Sequence, residues 1–223
     1  MDCGINNENV TEFIRSLLPK RDKFLAELEE LAGDPKNPIP IIHPEVGQLI
    51  RVLFDIKKPK TVLEVGTAIG YSSIFMAKLL EDVKIVTIER MEDMVNSARE
   101  NVKKAGLCDR ITIIHGEAKE ILKNLQDPFD FIFLDGAKAQ YIEFLPHIIR
   151  LLNNGGILFS DNILYKGMIS SDELVIRRKI TIVKRLRKYL SEISSHPLLD
   201  TSILPIGDGV AISYKKYGGY QLQ

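Results

Sequence analysis

Two glycines, Gly66 and Gly70, have the spacing that points most directly to chemistry, because they follow an apolar run that begins at Thr61. A strand, a glycine turn and a helix in this order let backbone N–H groups approach a ligand at the helix N-terminus. A second apolar run, 84–88, ends at Glu89, whose carboxylate could accept hydrogen bonds from both hydroxyls of a ribose. The pattern predicts a nucleotide-like cofactor at the carboxyl edge of a parallel sheet.

The glycine spacing argues against two common cofactors. A dinucleotide fingerprint has glycines where this chain has Ala68 and Tyr71, so NAD is disfavoured. A P-loop requires Gly-Lys-Ser/Thr, whereas Gly70 is followed by Tyr71 and Ser72, so ATP is disfavoured as well. An adenosine-bearing ligand without a phosphate chain remains. At these residues the chain resembles the S-adenosylmethionine (SAM) methyltransferases that have a Rossmann-like sheet.

Oxygen-bearing side chains follow two later apolar runs. The run 129–134 ends at Asp135, and the run 156–160 ends at Asp161 and Asn162. Neighbouring parallel strands lie about 4.8 Å apart, so donors from their carboxyl ends could converge on one cation. Oxygen ligands without Cys or His favour Mg²⁺, with Mn²⁺ or Ca²⁺ as alternatives. The same residues could instead turn the chain and cap a helix, and their spacing alone leaves both interpretations open.

The elements that must position these residues alternate along the chain. Strands are predicted near 61–66, 84–89, 111–115, 129–135 and 156–160, and helices near 71–81, 91–105, 117–126 and 139–152. Such alternation is typical of a parallel sheet. A helix near 172–195 then precedes two runs, 201–204 and 210–214, whose short connection predicts an antiparallel hairpin.

The N-terminal segment is predicted to be helical. Apolar residues recur near helical spacing over 9–31 with an interruption at Pro19, and another helix is expected over 44–56. We predict a single SAM-dependent methyltransferase domain over all 223 residues, in which 1–57 form an N-terminal helical cap and 58–223 a Rossmann-like core.

Composition places few limits on partners. The chain is 45% hydrophobic and 27% charged, as expected for a globular protein with a full core. Its 30 basic and 30 acidic side chains give no net charge, so overall electrostatics neither require nor exclude a polyanion. Cys3 and Cys108 make neither a disulfide framework nor a zinc cluster, and no signal peptide or membrane span is apparent. We therefore predict a cytoplasmic protein with no membrane partner.

Three motifs, at 64–72, 134–138 and 161–162, make the chain resemble the cation-dependent O-methyltransferases of the catechol and caffeoyl-CoA type. The resemblance covers nearly the whole chain. It implies an α/β fold with a Rossmann-like, seven-stranded, mostly parallel sheet, a C-terminal antiparallel hairpin and helices on both faces. It also implies a SAM- and Mg²⁺-dependent enzyme.

The resemblance implies a role for particular residues. The metal ligands would be Asp135, Asp161 and Asn162, and Lys138 would be the general base near the acceptor hydroxyl. A phenol-like hydroxyl has a pKa near 10, so a cation that stabilises its anion and a base that removes its proton would both assist transfer. The implied cofactor contacts are Gly66, Tyr71, Ser72, Glu89, Met91, Ala118 and Asp135.

The acceptor must offer two oxygens on adjacent carbons to chelate a metal, as catechols and 5-hydroxyuracil do. Residues 177–188 hold seven basic residues and no acid, which would suit phosphates. Alternatively, they form the solvated face of an amphipathic helix whose core side is Ile180, Val183, Leu186 and Leu190. Charge alone does not decide between these interpretations.

A closer resemblance, carried by 134–141, 161–167 and 203–210, is to the bacterial branch that methylates 5-hydroxyuridine at the tRNA wobble position. It implies tRNA as the substrate and 5-methoxyuridine as the product. Gly136 and Ala137 replace bulkier residues of the catechol branch, which implies a more open site that would admit a flipped-out base. The candidate tRNA phosphate contacts are Arg177, Arg178 and Lys179.

Two alternatives to this branch stay open. Small catechol-like phenols are the second candidate acceptor, because a more open site suits them equally. An inactive module that binds SAM or RNA is a candidate from another class, although the presence of all four metal and base residues argues against it. Related enzymes are commonly homodimers, so a homodimer is expected.

Overall fold

The computed structural model describes residues 6–20 and 22–218. Cys3, considered above, lies outside the described residues. The chain divides into two compact units, of which the first is Asn9–Ala118 and the second contains Lys119 and the residues after it. The assignment of a single domain stays a prediction.

Three parallel strands form the sheet of the first unit in the order β3-β2-β1. In chain order the elements are α1 (Glu8–Ser16), α2 (Lys23–Ala32), α3 (Pro44–Lys57), β1 (Thr61–Val65), α4 (Tyr71–Leu79), β2 (Lys84–Glu89), α5 (Glu92–Lys104) and β3 (Ile111–His115). The register places Val65 beside Ile88, and Ile88 beside Ile114. The glycine turn after β1 and the acid that ends β2 therefore emerge at one edge of this sheet.

The strands of the second unit follow the order β4-β5-β7-β6. Its elements are α6 (Ala118–Asn124), β4 (Phe129–Leu134), α7 (Tyr141–Leu151), β5 (Leu152–Ser160), α8 (Ile180–Ser195), β6 (Leu199–Leu204) and β7 (Val210–Lys215), with 3₁₀ turns at Lys138–Gln140, Asp172–Leu174 and Arg177–Lys179. β4 and β5 are parallel, whereas β7 is antiparallel to both β5 and β6.

Aromatic side chains fill the core of the second unit. The ring of Phe159 on β5 lies 6.1 Å from that of Phe131 and 5.6 Å from that of Phe133, both on β4. The rings of Tyr141 on α7 and Tyr189 on α8 meet edge to face at 5.4 Å. All five rings are fully buried. Close packing of this kind fixes the ends of β4 and β5, where the candidate metal ligands lie.

Basic side chains satisfy the carbonyl ends of three helices. Arg110 donates to the carbonyls that end α4, and Arg150 donates to those that end α6. The Lys215 ammonium donates to two carbonyls at the end of α7, and partial burial lowers its pKa. Cations at these positions complement the helix dipole and satisfy carbonyls that have no partner within the helix.

The predicted fold is confirmed: five parallel strands precede a C-terminal antiparallel hairpin in a Rossmann-like arrangement of seven strands. β5 begins at Leu152, earlier than predicted. Among the described residues, no helix combines the length and apolar character that crossing a membrane requires.

The continuous helix predicted over 172–195 is wrong in its first third. The Ser171 hydroxyl accepts a hydrogen bond from the Glu173 N–H and begins a short 3₁₀ turn. Val175 and Ile176 then adopt extended backbone angles, which suit β-branched residues, and α8 begins only at Ile180. The side chain of Ile180 is 39% exposed, so its assignment to the core is also wrong. The other residues assigned to that core side, Val183, Leu186 and Leu190, are buried.

Candidate active site

The turn between β1 and α4 is tight, and hydrogen bonds from the backbone and from one side chain hold it in place. Gly66 (φ 105°) and Gly70 (φ 84°) adopt left-handed angles, as does Ala68 (φ 43°), for which the angle is strained. The Gly66 N–H donates to the Ile88 carbonyl at 3.0 Å. The Asn101 side chain donates to the Ile69 carbonyl at 2.9 Å and ties the turn to α5. Strain that is maintained in this way is typical of a ligand site.

A fully buried carboxylate, Glu64, stabilises the same turn from the protein interior. The hydroxyls of Ser72 and Ser73, in the first turn of α4, donate to it, and so does that of Thr87 on β2 at 2.5 Å. The Thr67 and Thr87 hydroxyls lie 2.6 Å apart. Burial raises the pKa of Glu64, and the three donated hydrogen bonds oppose that rise. Glu64 therefore joins β1, α4 and β2 around the glycine turn.

The predicted ribose contact, Glu89, lies against this turn. One carboxylate oxygen accepts the Ala68 N–H at 3.0 Å, and the other accepts the N–H groups of Arg90 and Met91 at 2.9 Å. A carboxylate has about four acceptor positions, so Glu89 retains capacity for a ligand hydroxyl. The backbone thus orients the side chain that the sequence assigned to the cofactor.

The remaining predicted cofactor residues of the first unit differ in exposure. Tyr71 is buried and its hydroxyl donates to Glu29 of α2, while Ser72 is buried against Glu64. Met91 precedes α5 and is 51% exposed, whereas Ala118, the first residue of α6, is buried. The structure therefore brings together 66–72 with Glu89 and Met91 in one continuous region.

The candidate metal ligands lie at the adjacent ends of β4 and β5. Leu134 pairs with Ser160, and the Asp161 N–H donates to the Leu134 carbonyl at 2.9 Å. Asp135 and Asp161 therefore follow neighbouring strands at the same edge. Asp161 is buried, and one of its carboxylate oxygens accepts the Asn162 N–H at 2.6 Å. Asn162 adopts a left-handed angle (φ 55°), which is strained backbone at the site.

Two buried phenols contact the strand residues that directly precede these carboxylates. The Tyr141 hydroxyl donates to the Leu134 carbonyl at 2.8 Å, and the Tyr189 hydroxyl lies 2.6 Å from that of Ser160. Burial, followed by the negative charges of Asp135 and Asp161, raises the pKa of Tyr141 well above its usual value. The negative charges of both carboxylates therefore disfavour ionisation of the Tyr141 hydroxyl. The phenol stays neutral and donates its hydrogen bond.

The donor set fits a hard cation. Over 6–20 and 22–218, no group of three or more His, Cys, Asp or Glu side chains could hold a metal ion. The set Asp135, Asp161 and Asn162 instead combines two carboxylates with an amide, all of which offer oxygen. Mg²⁺ commonly takes one or two carboxylates and keeps several waters, so this set suits it.

Lys138, the predicted base, begins the 3₁₀ turn that follows Asp135. It is half-buried, and Ala137 before it has a left-handed angle (φ 57°). The Arg185 guanidinium of α8 donates to the Ala139 carbonyl at 3.2 Å and also pairs with Glu143 at 3.1 Å. These contacts fasten the Lys138 turn to α8.

The basic run that the sequence placed in a helix lies partly in a 3₁₀ turn. Arg177 and Arg178 are exposed and Lys179 is half-buried. The Lys179 ammonium lies 5.7 Å from the ring centroid of Tyr165, in the loop after Asn162. Arg185 and Arg187 are engaged within the unit, because Arg187 pairs with Asp172 and donates to the Ile169 carbonyl. Lys179 therefore links the basic run to this loop.

Three structural roles were missed at the sequence level. The buried carboxylate Glu64 had a visible signal, because an acid in the middle of an apolar strand needs buried partners. The roles of Tyr141 and of Asp208, whose carboxylate accepts the Lys166 N–H, gave no such signal, since they depend on contacts with residues in other elements. The roles assigned to the individual cofactor, metal and base residues stay predictions.

Comparison with known proteins agrees with this geometry. The sequence model of the family described as O-methyltransferase matches residues 16–216. A catechol O-methyltransferase from Niastella koreensis is 27% identical over 220 residues, which cover 96% of this chain and 96% of that protein.

Solved structures show the same fold. A Staphylococcus aureus protein, assigned provisionally to the caffeoyl-CoA O-methyltransferases, is 33% identical with a TM-score of 0.86 and covers 93% of this chain and 100% of its own. An O-methyltransferase from Bacillus cereus, crystallised in complex with SAH, is 26% identical with a TM-score of 0.82 and covers 93% of this chain and 97% of its own. None of these relatives is named for tRNA, so that branch stays a prediction. The chain belongs to the O-methyltransferase family, and it is an enzyme of the SAM-dependent O-methyltransferase class.

Proposed function

We propose that this enzyme methylates a hydroxyl of 5-hydroxyuridine at the wobble position of tRNA, with the help of a divalent cation such as Mg²⁺. The observation that carries the choice of acceptor is the contact between Lys179 and Tyr165. It joins the basic 3₁₀ turn to the loop that begins directly after Asn162. The basic charge that supports the proposal and the proposed metal ligands thus belong to one part of the second unit.

The chemistry of this region suits a nucleotide. The exposed guanidinium groups of Arg177 and Arg178 would attract phosphates, and an aromatic side chain such as Tyr165 offers a face on which a base can stack. Gly136 and Ala137 contribute no large side chain near Lys138. A tRNA acceptor also agrees with the predicted cytoplasmic location.

The chain's own residues would prepare the acceptor. Asp135, Asp161 and Asn162 would hold the cation, which when bound stabilises the anion of an acceptor hydroxyl. Lys138 would take the hydroxyl proton on its Nζ. The glycine turn and Glu89 would hold SAM, which supplies the methyl group. The buried contacts of Glu64 and Tyr141 keep these groups in place, so positioning accounts for part of the rate.

Small catechol-like phenols are the second candidate. The named relatives favour them, because one is a catechol O-methyltransferase and another is provisionally assigned to the caffeoyl-CoA O-methyltransferases. Catechols satisfy the same requirement for two adjacent oxygens. They do not require the exposed charge of the 3₁₀ turn.

The test compares tRNA that carries unmethylated 5-hydroxyuridine with a panel of catechols in methyl transfer from labelled SAM. We expect labelled tRNA, and we expect simultaneous Ala substitution of Arg177, Arg178 and Lys179 to lower the salt dependence of tRNA binding by about three in the log–log slope.

The matched control removes three exposed lysines elsewhere, Lys103, Lys104 and Lys123. If both triple variants lose tRNA binding equally, the effect would reflect net charge and not these particular residues. Transfer to catechols alone would overturn the tRNA assignment and favour the second candidate.

SAM binding provides a separate prediction. We expect Glu89→Ala to weaken SAM affinity by about 10- to 100-fold, because a charge-assisted hydrogen bond contributes roughly 1.5–3 kcal/mol. Calorimetric titration with SAM measures the effect, and Glu92→Ala, which removes an exposed acid three residues away, is the control. Equal affinities of the Glu89→Ala and wild-type proteins would remove Glu89 from the cofactor site.

A homodimer is also proposed. Helix α1 has no buried residue, and Val10, Phe13, Ile14 and Leu17 recur at helical spacing with exposed fractions of 42–68%. Such an apolar stripe is typical of a helix that packs against another surface. Light scattering should give twice the chain mass of 25.2 kDa, whereas a mass of one chain would contradict the proposal.

A further inference from the structure

We propose that Asp208, in the turn of the C-terminal hairpin, is a positioning residue for the loop that carries the acceptor contacts. This acceptor loop comprises residues 163–167 and directly follows Asn162. The inference rests on the proposed function, because it assumes that Asn162 is a metal ligand. It assigns a role at that site to a residue that lies far from Asn162 in the sequence.

The hairpin turn supplies acceptors for three N–H groups of the acceptor loop. The Asp208 carboxylate accepts the Lys166 N–H, and the Asp208 carbonyl accepts the Leu164 N–H at 3.0 Å. The Gly209 carbonyl accepts the Ile163 N–H, also at 3.0 Å. Asp208 is the acceptor in the first two bonds, so it holds the loop through both its side chain and its backbone.

Strand register brings the turn and the loop together. β5 and β7 are antiparallel, and Ser160 pairs with Ala211. The chain that leaves β5 therefore runs beside the chain that enters β7. Gly209 has a left-handed angle (φ 83°), and a Cβ there would overlap the Leu164 side chain. Only glycine permits this approach without a shift of the loop.

The acceptor loop needs such support because its backbone is strained. Tyr165 (φ 48°) and Lys166 (φ 57°) have left-handed angles, as does Asn162 before the loop. Non-glycine residues keep such angles only where the surroundings impose them. The bond from the Lys166 N–H to Asp208 is one of the constraints at the strained positions. Its loss should let the loop relax, and Asn162 and Tyr165 should move with it.

Asp208 should therefore affect the metal and the acceptor but not the cofactor. The comparison uses Asp208→Ala, which removes the acceptor for the Lys166 N–H, and Asp208→Asn, whose amide oxygen can still accept it. The readouts are Mn²⁺ affinity by calorimetry, KM for the acceptor, SAM affinity and amide exchange over 163–167. Asp200→Ala removes another acid of the same hairpin and is the control.

We expect Asp208→Ala to weaken Mn²⁺ binding and raise the acceptor KM by about 10-fold, the lower end of the effects seen for residues that orient metal ligands. SAM affinity should change less than twofold, and amide exchange over 163–167 should accelerate. Asp208→Asn should recover most of each loss, and Asp200→Ala should resemble the wild-type protein.

Two results would overturn the inference. In the first, the Ala and Asn variants are equally impaired, or SAM affinity falls while the acceptor KM rises, which would indicate a general structural defect. In the second, exchange over 163–167 accelerates while Mn²⁺ affinity and KM stay unchanged. Failure of the proposed function has different signatures. Transfer to catechols alone would overturn the tRNA assignment, and a wild-type protein that binds no Mn²⁺ and is insensitive to EDTA would overturn the metal role.

Discussion

Replacement of Lys138 by alanine is expected to lower the rate of methyl transfer by about 10²- to 10⁴-fold, the usual contribution of a general base. The side chain is half-buried at the start of a turn that Arg185 fastens through the Ala139 carbonyl. Removal of the amine should leave that backbone contact in place. SAM affinity should therefore stay near the wild-type value, as calorimetry can test alongside single-turnover rates.

A second variant and a series of acceptors make this test specific for proton removal. Lys138→Arg retains the positive charge but cannot accept a proton, so it should be as impaired as Lys138→Ala. Phenols of lower pKa need less help from a base, so the defect of both variants should shrink along a series of increasingly acidic catechols. A defect of constant size along that series would contradict the role of Lys138 as a base.

Replacement of Asp161 by asparagine is expected to have an effect of similar size through the metal. The variant removes one negative charge from the donor set and keeps an oxygen that can accept the Asn162 N–H. Stabilisation by a bound cation contributes several kcal/mol, so turnover should fall by roughly 10²- to 10³-fold. Mn²⁺ affinity, measured by calorimetry, should fall in parallel.

The controls for Asp161 address folding and the metal separately. SAM affinity and the melting temperature of Asp161→Asn should stay close to those of the wild-type protein, because the amide preserves the local hydrogen bond. EDTA should abolish wild-type activity, and added Mg²⁺ should restore it. Wild-type activity undiminished by EDTA would remove the metal from the mechanism, together with the assigned roles of Asp135, Asp161 and Asn162.

The sequence predicted the parts of the site that depend on local order along the chain. The glycine turn after β1 was visible because an apolar run precedes Gly66 and Gly70 directly. Asp135 and Asp161 were placed at one edge because parallel strands share their carboxyl ends, and the pairing of Leu134 with Ser160 confirms that placement. Local pattern was sufficient in each case.

The parts that the sequence did not predict depend on contacts between distant residues. The hydroxyls around Glu64 come from both α4 and β2, and Asp208 meets Lys166 across 42 positions of the chain. The start of α8 was misplaced for a local reason, because the Ser171 hydroxyl begins a separate turn. Helical periodicity continued through that point and concealed the interruption.

The cations at the helix ends have a consequence for how this protein can diversify. Arg110, Arg150 and Lys215 satisfy the carbonyl ends of α4, α6 and α7, whereas the glycine turn and the Lys138 turn precede the starts of α4 and α7. Within each unit, stabilising contacts and candidate site residues thus occupy opposite ends of the same helix. Mutations in the loops that precede α4 and α7 leave these stabilising contacts intact. Substitutions in the loop before α7 could therefore exchange one acceptor for another by small steps while the protein continues to fold.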